Sequence, residues 1–323
     1  MRIDIHAHFI DRPYVQELTD LLGLTASEGN KGQVLLRRGK TTYAWYREEM
    51  FDENARLRKM DTQGIDMRVL SLSAPNIYDW PAADQPQLAR RINDETARMV
   101  RAHSDRFQGF ATMPLADVDA SLVELARAMD ELDMRGIVIG SNIGGKPLDH
   151  PDLEPFWAEI NRRRTPVFEH PMLPLGAEHM DAYELPIRVG FVYETTTALT
   201  RMIYGGVFER YPDFPFIVAH TGGALLSLLQ RLDNGYHLFP DCREHISQLP
   251  SVYAKRLYFD TCAFQPSVIN MAREIVGSDR LLFGTDDPFL SAGPEYLEDM
   301  DLQAAETVRI MSGNAIAMLG LKV

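Results

Sequence analysis

Two histidines spaced by one residue stand near the start of the chain, in Ile3-Asp4-Ile5-His6-Ala7-His8-Phe9. Ile3, Ile5 and Phe9 alternate with polar residues, which predicts a short β-strand. Residues i and i+2 of a strand share a face, so the two imidazoles point the same way. Neutral imidazoles held that close suit one divalent metal ion, because His is the commonest nitrogen ligand for zinc and its neighbours. The same spacing also fits a plain strand with two surface histidines, and the rest of the ligand set has to decide. Candidates stand at the ends of later apolar runs: His170 before Pro171, His220 after Ala219, and Asp286 in Gly284-Thr285-Asp286-Asp287-Pro288. Three imidazoles and one carboxylate can hold a single divalent ion with a position open to water or substrate. The remaining histidine is then placed to move protons. Taken singly, each has a plainer reading: His170 as a hydrogen-bonded core histidine, Asp286 as a cap on the turn before Pro288.

These residues need a scaffold that brings strand ends together. After the opening strand, a long segment from Asp11 to Met50 reads as irregular and holds a basic cluster of Lys31, Arg37, Arg38, Lys40 and Arg47. A connection this long in a compact domain is expected to be an insertion or lid. A rhythm then sets in. Helix patterns over Phe51–Gly64, Gln85–His103, Asp117–Asp133 and Leu153–Arg163 alternate with strand patterns over Met67–Leu72, Phe107–Met113, Gly136–Ile139 and Pro166–Glu169. A second excursion, Met172–Arg188, leads to a Thr-rich helix over Phe191–Phe208. Strands Pro215–Ala219, Leu257–Asp260 and Leu281–Phe283 follow, with helices Leu225–Asn234, Pro266–Val276 and Ala304–Leu319. Eight strand-then-helix units without a composition break predict one α/β domain over residues 1–323, a (β/α)8 TIM barrel with residues 11–50 inserted after strand one. A doubly wound open sheet is the runner-up, but no G-x-G-x-x-G follows the first strand. In a barrel, His6, His8, His170, His220 and Asp286 all fall at the C-terminal ends of strands, where barrel enzymes place their chemistry.

The chain has 323 residues, 45% apolar and 24% charged, which is ordinary for a soluble globular protein. A net charge of −13 argues against nucleic acid or an anionic membrane as the main partner. No run approaches the roughly 18–20 consecutive apolar residues of a membrane helix. The first strand leaves no room for a signal peptide, and two cysteines, Cys242 and Cys262, give no disulfide framework. A cytoplasmic enzyme acting on a small molecule is the expectation.

The motifs together resemble the amidohydrolase superfamily, in the amidohydrolase-2 group of aminocarboxymuconate semialdehyde decarboxylase and the hydroxybenzoate decarboxylases. The resemblance is carried in order along the chain by Asp4-Ile5-His6-Ala7-His8-Phe9, Arg58-Lys59-Met60-Asp61-Thr62-Gln63-Gly64-Ile65-Asp66 and Glu169-His170-Pro171. It continues through Gly205-Gly206-Val207-Phe208-Glu209-Arg210-Tyr211-Pro212, Ala219-His220-Thr221-Gly222-Gly223, Gly284-Thr285-Asp286-Asp287-Pro288-Phe289 and Ser312-Gly313-Asn314-Ala315. It implies one divalent ion, zinc first and manganese second, bound by His6, His8, His170 and Asp286. His220 would be the catalytic histidine that orients or deprotonates the water at the metal, with Asp286 counted both as ligand and as catalytic group. Binuclear relatives carry a carboxylated lysine at the end of strand four. Here that position reads Ile139-Gly140-Ser141-Asn142 and Lys146 lies beyond two glycines, so one metal is expected.

The resemblance also implies a homodimer or higher homo-oligomer, in which Arg231 reaches the neighbouring subunit's site and grips a substrate carboxylate. A pairing with Asp233 or Asp213 on the surface is the alternative. Arg47 is the nearest match to the family's second arginine. Trp45 beside it, with Tyr43, Tyr46, Tyr78 and Trp80, could stack on a flat substrate or pack the lid. The implied activity is metal-dependent, non-oxidative decarboxylation of a small carboxylated aromatic or dienoic acid. A hydrolase or hydratase opening a lactone, amide or double bond would use the same residues. A non-catalytic partner subunit is a third reading, disfavoured by the five intact chemical residues.

Overall fold

The protein is described here from a computed structural model covering residues 1–174, 176–180, 182–290 and 292–322; Leu175 and Asp181 of the second excursion, Ser291 and Val323 lie outside the described residues. Eight parallel strands, Ile3–Phe9, Met67–Leu72, Phe107–Thr112, Gly136–Gly140, Val167–His170, Phe216–Val218, Tyr258–Asp260 and Leu281–Leu282, pair in chain order. The sheet closes on itself through backbone bonds from Ile5 to Phe283 (3.0 Å), Asp286 to His6 (2.8 Å) and His8 to Asp287 (2.6 Å). A helix lies between each pair of successive strands, from Glu53–Gln63 through Gln85–Ala102 to Pro266–Val276, and helices Glu295–Glu298, Ala304–Val308 and Asn314–Leu319 follow the last strand, the last two joined by a π turn over Arg309–Gly313. This is the (β/α)8 barrel expected from the alternation.

Two apolar clusters hold it together. One takes Ile5, Val69, Phe110, Val138, Phe168, Ile217 and Leu282, a side chain from each of seven strands, and so fills the barrel interior. The other lies between strands and helices and collects the helix stripes, among them Leu88, Ile92 and Met99, then Phe156, Trp157 and Ile160. Two helix ends differ from the pattern by four residues. The Thr-rich helix stops at Tyr204, because Gly206 takes φ 70° and a Cβ there would collide with the His245 carbonyl. The helix from Leu225 runs on to Leu238, past the predicted Asn234.

The larger difference is the segment after strand one. Residues 11–50 are not irregular. Asp11 caps a helix over Arg12–Leu22 and Gly23 ends it in the left-handed conformation. Strands Thr25–Glu28, Val34–Arg38 and Thr41–Tyr46 then form an antiparallel sheet, turning at Gly39, φ 60°. Strand Val34–Arg38 buries Leu36 and strand Thr41–Tyr46 buries Thr42, while Thr25–Glu28 is exposed throughout. With so little burial the apolar alternation that marks a strand is faint. Among the described residues, no helix is long and apolar enough to cross a membrane.

Next to the barrel closure lies a buried knot of charge. Arg68, fully buried, donates to Asp4 at 3.1 Å and reaches Asp287 at 3.0 Å. Arg56 donates to Asp287 at 2.9 Å, and Lys59 joins it. Asp4 also accepts from the Thr285 hydroxyl (2.6 Å) and amide (3.0 Å), which ties strand one to the turn carrying Asp286. Buried ions of this kind contribute by being jointly satisfied, and removing one partner strands the others. Asp287→Asn leaves two buried guanidinium groups short of an anion, so unfolding in urea at neutral pH should show a loss of about 3–5 kcal/mol. A change under about 1 kcal/mol would mean that water already screens the cluster.

Candidate metal centre

Parallel strands in a closed barrel deliver their C-terminal ends to one face. Strand one brings His6 and His8 there and strand five brings His170. His220 follows strand six and Asp286 follows strand eight. All five converge. His6 Nε2 lies 3.0 Å from His8 Nε2, and Asp286 Oδ1 lies 3.5 Å from the first and 3.3 Å from the second. Asp286 turns its other oxygen, Oδ2, toward His220 Nε2 at 3.8 Å. His170 stands edge-on to His8, with ring centroids 4.5 Å apart, and its centroid is 5.4 Å from that of His220. One ligand atom each from His6, His170, His220 and Asp286 falls within 4.8 Å of the others.

The donor set fits a divalent ion. Bonds of about 2.0–2.2 Å to nitrogen and oxygen place neighbouring donors roughly 3–3.5 Å apart, which is the spacing found among His6, His8 and Asp286. His170 Nδ1 and His220 Nδ1 are buried without a hydrogen-bond partner among the described residues, ring nitrogens that an ion or water would satisfy. Burial, with the charges of neighbouring histidines, pulls His8 down to about 4 and holds His170 well below the ordinary histidine value, so both are neutral donors. Burial would raise the Asp286 carboxyl, but His220, His8 and His6 outweigh it and keep it ionised. His220 runs the other way: burial lowers it, yet Asp286, Asp260 and Glu169 hold it above the ordinary value. Beneath His170, burial raises Glu169 to about 8 despite the hydroxyl of Thr195 at 3.1 Å.

Backbone strain is present here. His220, Thr221 and Asp286 have φ of 54°, 54° and 57°, left-handed values that side-chain-bearing residues rarely adopt. Of the adjacent acids, Asp286 faces the histidines and Asp287 turns away into the Arg56–Arg68–Lys59 cluster. One polar residue at a strand end escaped the sequence reading. Asp260 ends strand seven, is fully buried, and lies 2.5 Å from His6 Nδ1. The signal was the one that found His170, a polar residue at the end of an apolar run.

The expected recognition residues are distributed differently. Trp45 meets Phe289 edge-on at 5.3 Å, and Phe289 in turn lies 5.6 Å from His8. The Arg47 guanidinium sits over Trp45 at 5.3 Å. The antiparallel sheet thus borders the centre through one aromatic contact. Tyr43 and Tyr46 face Arg38 and Phe51 instead. Tyr78 donates to the Met113 carbonyl at 3.1 Å and Trp80 stacks on Tyr14, so both pack the fold. Lys146 pairs with Asp152 at 2.6 Å. Arg231 is exposed on its helix, and among the described residues neither Asp233 nor Asp213 pairs with it.

Residues 3–321 match the amidohydrolase family. A 2-amino-3-carboxymuconate-6-semialdehyde decarboxylase of Dictyostelium discoideum is 30% identical, over 99% of this chain and 92% of its own length. A gamma-resorcylate decarboxylase of Rhizobium sp. is 30% identical, over 81% of this chain and 85% of its own. Among solved structures, a dihydroxybenzoic acid decarboxylase from Polaromonas sp., with bound manganese and the inhibitor 2-nitroresorcinol, superposes with a TM-score of 0.84 at 25% identity, covering 99% of this chain and 97% of that one. Fold, strand-end constellation and relatives agree, and the chain belongs to the amidohydrolase family.

Proposed function

We propose that this protein is a metal-dependent, non-oxidative decarboxylase of a small carboxylated aromatic or dienoic acid. The observation that carries the reading is the split face of Asp286: one oxygen toward the fully buried His6 and His8, the other toward His220. His6, His8, His170 and Asp286 would hold the ion. His220, with 16% of its side chain exposed against none for His6 and His8, is on the accessible side and suits proton transfer. The decarboxylases to which the chain is similar support the reaction class. An imidazole-rich set suits zinc, and the manganese in the Polaromonas enzyme marks the alternative; elemental analysis distinguishes them. The free thiols of Cys242 and Cys262 suit the reducing cytoplasm.

When bound, the ion supplies an electrophile that holds substrate oxygens. Arg47 and Trp45 would orient the acid, the guanidinium on carboxylate and the indole against a flat ring. His220 would then give a proton to the carbon bearing the carboxylate. The carbon–carbon bond breaks, its electron pair restores the unsaturated system, and CO₂ leaves. Arg231 would act from the neighbouring subunit of a homodimer. Its exposure on the helix after strand six supports that placement.

Metal-loaded protein should release CO₂ from a panel of hydroxy- and aminobenzoates or carboxymuconate-type acids, and His220→Asn should lower the rate by about 10²–10⁴-fold with metal content unchanged. Lactone opening with no CO₂ would move the protein to the hydrolases. His170→Ala should keep the fold by circular dichroism and lose stoichiometric metal; full metal content would remove His170 from the ligand set. For the subunit question, mixing Arg231→Ala with His220→Ala chains should restore part of the activity, since each mixed dimer has one complete site. No recovery would place Arg231 outside the active site.

A further inference from the structure

We propose that Asp260 is the positioning residue that builds both halves of this centre, setting the tautomer of His6 and the strained turn that carries His220. The proposal rests on the metal-site reading above but not on the reaction. Asp260 Oδ2 faces His6 Nδ1 at 2.5 Å and accepts from the His220 amide at 2.9 Å. Its Oδ1 accepts from the amides of Thr221 (2.7 Å) and Cys262 (3.0 Å), and its carbonyl accepts from the Thr221 hydroxyl at 3.0 Å. Three backbone N–H groups and one ring nitrogen crowd two oxygens of a fully buried group. A carboxylate so surrounded can only accept, so the proton of the short contact belongs to His6 Nδ1. His6 Nε2 must then carry the lone pair, and Nε2 is the atom that faces His8 and Asp286. A carboxylate behind a metal-facing imidazole fixes its tautomer and ring orientation in this way.

The second half follows from the same atoms. His220 and Thr221 are successive non-glycine residues in the left-handed region, and their amides point together at Asp260. Consecutive N–H groups in such a turn form a concave anion-binding nest, and here the anion is supplied by the protein. The histidine proposed to move protons is therefore held by the carboxylate that prepares a metal ligand. In Asp260→Asn the amide oxygen stays with the Thr221 and Cys262 N–H groups, and the –NH₂ takes the place of Oδ2, facing His6 Nδ1 and leaving the His220 N–H without its acceptor. That drives the His6 proton to Nε2, where an N–H points into the ligand cluster.

The test is the tautomer itself. Metal-free protein labelled with ¹⁵N-histidine is studied near pH 8, above the ordinary histidine pKa of about 6.5, with His6 assigned by its loss in His6→Asn. Two-bond ¹⁵N–¹H correlations should show the Nδ1–H form in the wild type and the Nε2–H form in Asp260→Asn. Zinc affinity of that variant, measured by chelator competition, should fall about 10–100-fold. Thr221→Val loosens the same turn but keeps the carboxylate, and should retain both the tautomer and the affinity. An Nε2–H form in the wild type, unchanged zinc binding in Asp260→Asn, or an equal loss in Thr221→Val would each overturn the proposal. If Asp260→Asn does not fold, the wild-type spectrum decides alone. A protein inactive on every acid tried still reports its tautomer, so this outcome is separate from the decarboxylase reading.

Discussion

Everything at the mouth of this barrel depends on one carboxylate, Asp286, being kept ionised while nearly enclosed by imidazoles. An isolated buried carboxylate would take up a proton. Contact with His6, His8 and His220 prevents that. In the other direction, crowding and burial keep His8 and His170 neutral with their lone pairs available. A cluster of neutral nitrogens and one anion, poorly hydrated and a few ångströms across, is chemically a cation site.

Holding it has a structural cost. His220, Thr221 and Asp286 occupy left-handed backbone conformations that side-chain-bearing residues rarely adopt. Two buried groups do the enforcing. Asp260 gathers the amides of the His220 turn. Asp4, itself held by Arg68, gathers the amide and hydroxyl of Thr285, next to Asp286. Asp287 continues that lattice into Arg56 and Lys59. The charged knot beside the barrel closure is therefore part of how the centre keeps its shape, because the turn it anchors presents Asp286.

The barrel and the antiparallel sheet over residues 25–46 divide the work. The strand ends supply the groups proposed to bind metal and move protons, an apparatus on which lyase and hydrolase chemistry could both run. Discrimination between substrates falls to what surrounds it. A path of contacts runs from Arg47 over Trp45 and Phe289 to His8 and links that sheet to the centre.

What the amino-acid sequence determined by itself was whatever obeys a short period. Eight alternations of strand and helix, the shared face of His6 and His8, and the strand-end positions of His170, His220 and Asp286 all follow from spacing along the chain. Tertiary structure decided the rest, for physical reasons that differ from case to case. Asp286 and Asp287 are adjacent and chemically equal, and only the barrel closure aims one at the histidines and the other at arginines. Tyr78 and Trp80 look like a stacking platform until packing against Met113 and Tyr14 absorbs them. The sheet after strand one buries too little to show a period. Asp260 acts through hydrogen bonds to residues 39–254 positions away, and no local pattern encodes a contact that exists only once the barrel has closed.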